Sequence, residues 1–221
     1  MNGAQATAVP QQPPSPLRMI LTLGMAGLFS GLILVGIYEV TLPMIKANQA
    51  RALRQAVFQV VPGSEAMQKL VVRDGRLVIE PEGGAEDEPG IYAAYDANGG
   101  FLGYAIPSEG SGFQDVIKLI YGYDPSEKRV IGMQVLESRE TPGLGDKIFK
   151  DQDFIAEFRD LAVEPRVEAV AKGTAAAPNE VDAITGATIS SKAVVKIINQ
   201  GNDQWLPLLP EQAPPLEREG S

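Results

Sequence analysis

Twenty consecutive residues, Met19 to Tyr38, carry no charged side chain except that Glu39 follows at once, and no other feature constrains the fold of this chain as tightly. At about 1.5 Å of rise per helical residue they span roughly 30 Å, the thickness of a bilayer's hydrocarbon core. The stretch therefore predicts one transmembrane helix over residues 17–40. A signal peptide has a shorter apolar region ending at small residues, whereas Glu39-Val-Thr-Leu-Pro43 follows here. A soluble core helix is seldom so uniformly apolar. Residues 1–16, rich in Gln, Pro, Ala and Ser, read as a disordered leader. Arg18 stands alone before the span while Lys46, Arg51 and Arg54 follow it. Counted literally, the positive-inside rule puts the remainder of the chain in the cytoplasm.

Beyond the span, Ala50, Leu53, Val57 and Val60 recur close to a 3.6-residue period until Pro62-Gly63 stops the pattern. Residues 41–64 are thus a stalk helix. Strand signals follow: Leu70 to Ile79 centres on Asp74-Gly75, and Ile91 to Pro107 contains Asn98-Gly99. Both read as hairpins, because those residues accept positive φ. Pro81 to Pro89 is an acidic loop between them, and Val116 to Tyr123 pairs with Val130 to Leu136 across Asp124–Lys128. Short sequential strands favour an antiparallel sheet. Helical patterns at Gln152–Leu161 and Ile189–Asn199 supply helices to cover it, with a strand at Arg166–Ala171 and a small polar loop at Lys172–Asn179. The class is α+β, one domain over residues 65–205. Pro207, Pro210, Pro214 and Pro215 mark residues 206–221 as a disordered tail.

The chain has no cysteine and no histidine. Iron–sulfur clusters, common haem ligation, zinc and copper sites, thiol chemistry and imidazole-dependent triads are therefore excluded. No metal site and no catalytic residue is expected, and any redox role needs an organic cofactor. The net charge of −9, without a basic run, argues against nucleic acid as a partner.

Two elements could hold such a cofactor. Asp182-Ala-Ile-Thr-Gly-Ala-Thr188 precedes an apolar-periodic helix in which Ala193, Val194, Ile197 and Ile198 face the core. Thr188 is placed to be its N-cap, an ordinary structural duty for threonine. A phosphate esterified to it would lie at the positive end of the helix. Thr185, Gly186 and Ala187 form the turn that exposes the hydroxyl, which is a weak nucleophile without a neighbouring base. The second element, Glu140-Thr-Pro-Gly-Leu-Gly145, matches neither a P-loop nor a dinucleotide fingerprint. Gly143 and Gly145 would let a planar ligand approach, with Leu144 as apolar contact and Glu140 as acceptor; a plain strand-to-helix turn uses the same residues. Gly110-Ser-Gly-Phe113 is a further loop open to backbone approach, or a linker.

Taken together, the Asp182–Thr188 motif, the Ser190-Ser191 pair, the Glu140–Gly145 segment and one N-terminal span resemble the FMN-binding G subunit of the Rnf electron transport complex. The related C subunit of the sodium-translocating NADH:quinone reductase shares the domain. The resemblance covers roughly residues 47–200. It implies FMN joined covalently through its phosphate to Thr188 by a separate flavin transferase that uses FAD and magnesium. Glu140, Thr141, Gly143, Leu144 and Gly145 would then line the isoalloxazine or ribityl chain, with Lys147 balancing the phosphate charge. It also implies an electron carrier among other Rnf membrane subunits in a ferredoxin:NAD oxidoreductase, single-pass in a bacterial inner membrane. The leader would be cytoplasmic and the FMN domain periplasmic, against the literal charge count. Alternatives are the C-subunit type of chain, a flavin-free membrane-anchored scaffold, or a hydrolase using Ser190 or Ser191 with Lys192. The hydrolase lacks an SxxK motif, because Ala193 and Val194 stand where the lysine belongs.

Overall fold

A computed structural model of the chain describes residues 15–80 and 88–217. The leader, apart from Ser15 and Pro16, and the loop Pro81–Pro89, apart from Glu88 and Pro89, lie outside the described residues. The chain divides into two units, residues 1–49 and 50–221. Helix α1, Pro16–Val60, runs through the boundary. In the first unit its apolar side chains are exposed from Leu17 to Val40, and it is long and apolar enough to cross a membrane. Thr22 and Thr41 donate their hydroxyls to the carbonyls of Arg18 and Ile37 at 2.6 and 2.9 Å, so neither polar group requires a partner outside the helix.

The second unit is built on a seven-stranded antiparallel sheet in the order β2-β1-β3-β4-β5-β6-β7. Its strands are β1 (Ala66–Arg73), β2 (Arg76–Ile79), β3 (Gly90–Tyr95), β4 (Phe101–Ser111), β5 (Val116–Asp124), β6 (Arg129–Glu137) and β7 (Leu161–Ala162). Asp74 and Gly75, at φ of 52° and 75°, make the two-residue turn their sequence predicts. Asn98-Gly99 does not: only Gly99 has positive φ, and the connection is a longer turn in which Asp96 Oδ1 accepts from Asn98 N and Gly100 N. The aspartate side chain organises this turn, so Asn98 need not adopt the left-handed region.

One face of the sheet receives the last turns of α1, where Ala56, Val57, Val60 and Val61 pack on Ala94, Ala105 and Ile120. Glycine at 122 and 132 permits this contact, since a Cβ on either would collide with the Val60 carbonyl. The other face carries Tyr95, Tyr104, Ile106, Ile117, Leu119 and Tyr121. It is covered by helix α4 (Thr188–Trp205), through Val194, Ile197, Ile198 and Trp205, and by Phe154 and Phe158. Burying each such side chain stabilises the fold by about 1.5–3 kcal/mol.

Between β6 and α4 lie the short helices α2 (Lys147–Lys150) and α3 (Gln152–Ala156), a 3₁₀ turn at Glu157–Arg159, and β8 (Glu168–Val170) with β9 (Glu180–Asp182). The strand expected at Arg166–Ala171 thus shrinks to β8 and pairs in parallel with β9, outside the main sheet. The tail from Leu206 to Glu217 is structured, contrary to expectation. Leu206, Leu208, Leu209, Ala213 and Leu216 pack on the core, Tyr104 and Tyr95 donate to the carbonyls of Pro210 and Pro214, and Glu217 N donates to Gln68. Its prolines cannot donate hydrogen bonds but still accept them, and its apolar residues cover sheet surface; residues 218–221 lie outside the described set.

Candidate functional site

The site forms where three loops converge on the start of α4. Strand β9 delivers the chain to Asp182, whose carboxylate accepts the N–H groups of Gly173, Thr174 and Ala175 at 2.8, 3.1 and 2.9 Å. Those bonds, from Ala175 and Gly173 first, hold its pKa below the usual carboxylate range. Asp182 therefore anchors the neighbouring loop rather than its own turn, while its own N–H donates to Glu157 Oε2 at 2.6 Å. Ala183 and Ile184 are buried, and Ala187 N donates to the Ile184 carbonyl at 2.9 Å, closing a turn over Thr185 and Gly186. Gly186 sits at φ +81°, a conformation that a Cβ disfavours.

Thr188 departs from its expected role. Ala187 is the N-cap of α4 and Thr188 is the first helical residue, exposed. The turn ends one residue earlier than apolar periodicity suggests, which moves the threonine into the helix and leaves its hydroxyl out of capping. Ser191 N is the first helical amide to find a carbonyl, that of Ala187 at 2.9 Å. The N–H groups of Thr188, Ile189 and Ser190 therefore have no helical partner.

Ser190 and Ser191 point inward. Ser191 Oγ donates to the Ala187 carbonyl and accepts from Ile184 N, and Ser190 Oγ donates to Glu140 Oε2 at 2.5 Å. Buried and hydrogen-bonded, neither serine is available as the nucleophile of a hydrolase.

Glu140 joins the three segments. Its Oε1 accepts from Phe113 N and Gln114 N, both at 2.9 Å, while Oε2 takes the Ser190 hydroxyl. Burial works to raise this carboxyl, but Ser190 and the amides of the 113–115 loop outweigh it and hold the group below the usual carboxylate range. The expected role as a ligand acceptor is corrected accordingly: both carboxylate oxygens are spent inside the protein. Gly145 serves the same junction, since its Cβ would stand 2.6 Å from Glu140 Oε2 and 2.8 Å from Ser190 Oγ. Thr141 Oγ1 donates to Gln114 Oε1 at 2.8 Å and so ties two loops together. Nothing local to Gln114 or Glu157 in the sequence signals these long-range bonds.

What remains open to a ligand is apolar and cationic. Gly143 is exposed at φ +78°, and Leu144, Phe113 and Ile189 are 51%, 63% and 58% exposed. Leu144 Cδ2 and Lys147 Nζ lie 3.8 and 3.9 Å from where a Gly186 Cβ would be, which sets the Glu140–Gly145 segment against the Asp182–Thr188 turn. Exposed hydrocarbon suits a planar ring, a lysine suits a phosphate, and Gly186 keeps the space between them clear. Clefts of about 320 Å³, beside Lys192, and about 680 Å³, along β6, do not include Thr188. A group attached there would lie at the surface.

Residues 112–202 match the FMN-binding domain family, a stretch that opens at the loop clipped by Glu140 and closes within α4. The G subunit of the proton-translocating ferredoxin:NAD(+) oxidoreductase complex of Clostridium ljungdahlii is 29% identical over 79% of this chain and 83% of its own length. The G subunit of the ion-translocating oxidoreductase complex of Aliivibrio fischeri is 33% identical over 74% of this chain and 77% of its own. The C subunit of the Na(+)-translocating NADH-quinone reductase from Parabacteroides distasonis shares the fold, with a TM-score of 0.58 over 76% of this chain and 96% of that one at 22% identity.

Proposed function

The chain belongs to the G-subunit family of ion-translocating oxidoreductase complexes, and from that premise we propose that it carries electrons in an Rnf-type ferredoxin:NAD oxidoreductase through FMN esterified to Thr188. Its coarser identity, an FMN-binding electron-transfer subunit of such a complex, follows from the family and the domain match. The observation that carries the finer reading is the state of Thr188. It is an exposed residue, the first of α4, beside amides without helical partners, while Ser190 and Ser191 are buried and bonded.

FMN supplies the uptake and release of electrons at its ring; the protein holds and positions it. Leu144, with Phe113 and Ile189, offers apolar surface for the ring, and Lys147 offsets phosphate charge. Thr185, Gly186 and Ala187 present the hydroxyl, and Gly143 leaves room for backbone approach. Glu140, Gly145 and Thr141 act one layer back, fixing the loops relative to one another. The chain has no histidine to activate Thr188, so a separate flavin transferase using FAD and magnesium makes the ester. The apolar part of α1 anchors the chain in the bilayer beside the other members of the complex, with the FMN domain in the periplasm of a bacterial cell.

In a host with an active transferase, the full-length chain should fluoresce as a flavoprotein on a denaturing gel. Thr188→Ala should lose that signal at unchanged expression and helicity, and Thr188→Ser should retain at least part of it. A fluorescent Thr188→Ala band would place the flavin elsewhere.

A further inference from the structure

Of the lysines in residues 50–217, Lys69, Lys118, Lys128 and Lys150 each have a carboxylate partner. Lys147, Lys172, Lys192 and Lys196 form no salt bridge among the described residues, and each stands on or next to a segment that meets the Asp182–Thr188 turn. Lys147 Nζ lies beside Gly186. Lys172 precedes the amides held by Asp182. Lys192 and Lys196 stand on α4, one and two turns beyond Thr188, and both line the cleft of about 320 Å³. Arg166, a third cation on that cleft, is already paired with Asp203 at 2.7 Å. The Glu168 carboxylate lines the cleft as well, so in a chain of net charge −9 the positive charge nearest Thr188 is that of Lys147, beside Gly186, and Lys192, one turn along α4.

Helix geometry separates the two lysines of α4. Four residues rise about 6 Å, and side chains lean toward the helix N-terminus, over the preceding turn. Lys192 therefore stands one turn beyond Thr188 on the same helix face, close enough for its side chain to lean back over that turn, whereas Lys196 is a further turn away. We propose that Lys192, together with Lys147 from α2, forms a phosphate site at Thr188, with Lys192 a cofactor-positioning residue supplied by the same helix as the attachment point. The inference rests on the reading that the flavin phosphate sits at Thr188. Two lysines from different elements would restrain the phosphate in rotation as well as offset its charge, and so limit the directions the ring can take.

The test uses the full-length chain carrying Thr188→Ala, purified from a host without the transferase and titrated with FMN and with riboflavin, which lacks the phosphate. FMN should bind about tenfold tighter than riboflavin at low salt, the preference falling as salt rises. Lys192→Gln should cut that ratio severalfold without changing riboflavin affinity, and Lys196→Gln should leave it intact. In the loaded wild-type background, Lys192→Gln should also move the ³¹P resonance of the phosphodiester, and Lys196→Gln should not; this decides the matter if free flavins bind too weakly to titrate. An unchanged ratio, or with weak binding an unmoved ³¹P signal, in Lys192→Gln overturns the proposal. A native chain with no FMN on Thr188 defeats the attachment reading instead; a loaded chain indifferent to Lys192 defeats only this inference.

Discussion

Glu140 accepts hydrogen bonds from residues 26, 27 and 50 positions away in the chain, and those distances explain why its role is not legible locally. The sequence marks the Glu140–Gly145 segment as unusual, but it cannot tell a ligand-facing carboxylate from a buried clip. Glu140→Gln keeps the shape and removes the charge, so it should cost about 1–3 kcal/mol. The folded pKa is depressed, so the carboxylate's contribution is complete above the unfolded value of about 4.3 and is lost as pH falls through the lower folded value. Thermal melts of the full-length chain should therefore show a stability difference between wild type and Glu140→Gln that narrows on acidification through that window; a constant difference would contradict the assignment. Gly186 is legible as part of the turn before α4, but its positive φ is known only from the structure. Gly186→Ala meets neighbours only at 3.8 and 3.9 Å, so its cost of about 1–2 kcal/mol should be backbone strain, measurable as a lower Tm.

The last turns of α1 and the strap after α4 cover opposite faces of the sheet, and they differ in how well the sequence announces them. The α1 face is readable from the period of Ala50, Leu53, Val57 and Val60, although the glycines that admit it lie far away on β5 and β6. Gly122→Ala drives a methyl group into the Val60 carbonyl, and overpacking of this kind should cost about 1–3 kcal/mol, read as a lower Tm. The strap escapes a reading by composition, because its proline content outweighs the apolar residues interleaved with it. Burial under it pushes the Tyr95 phenol up to about 12. A raised phenol pKa means stability held below the ordinary value of about 10 and lost as pH climbs through the folded value. Ending the chain after Trp205 should lower the Tm and bring Tyr95 back toward 10 in an ultraviolet titration; an unchanged Tyr95 would mean the strap is not its cover. The hairpins divide similarly, since Asp74-Gly75 acts through its own backbone whereas the Asn98-Gly99 turn is set by the Asp96 side chain.

For the molecule as a whole, the α+β class is legible from periodicity and the N-terminal helix from an uninterrupted apolar run, while the parallel β8–β9 pair, set by carboxylates holding the intervening loop, is not. Membrane orientation is where the charge count and the family resemblance disagree. Arg18 alone precedes the span and Lys46, Arg51 and Arg54 follow it, yet the proposed function places the flavoprotein domain outside the cytoplasm. Protease added to spheroplasts should digest the domain while leaving a cytoplasmic marker intact; protection of the domain until the cells are lysed would reverse the topology. Whether Thr188 carries the flavin is decided by the intact mass of the chain purified from its native membrane, followed by mapping of the peptide that contains Thr188. That peptide should be heavier by FMN less one water. An unmodified Thr188 peptide, from cells whose transferase is active, would refute covalent attachment at this residue.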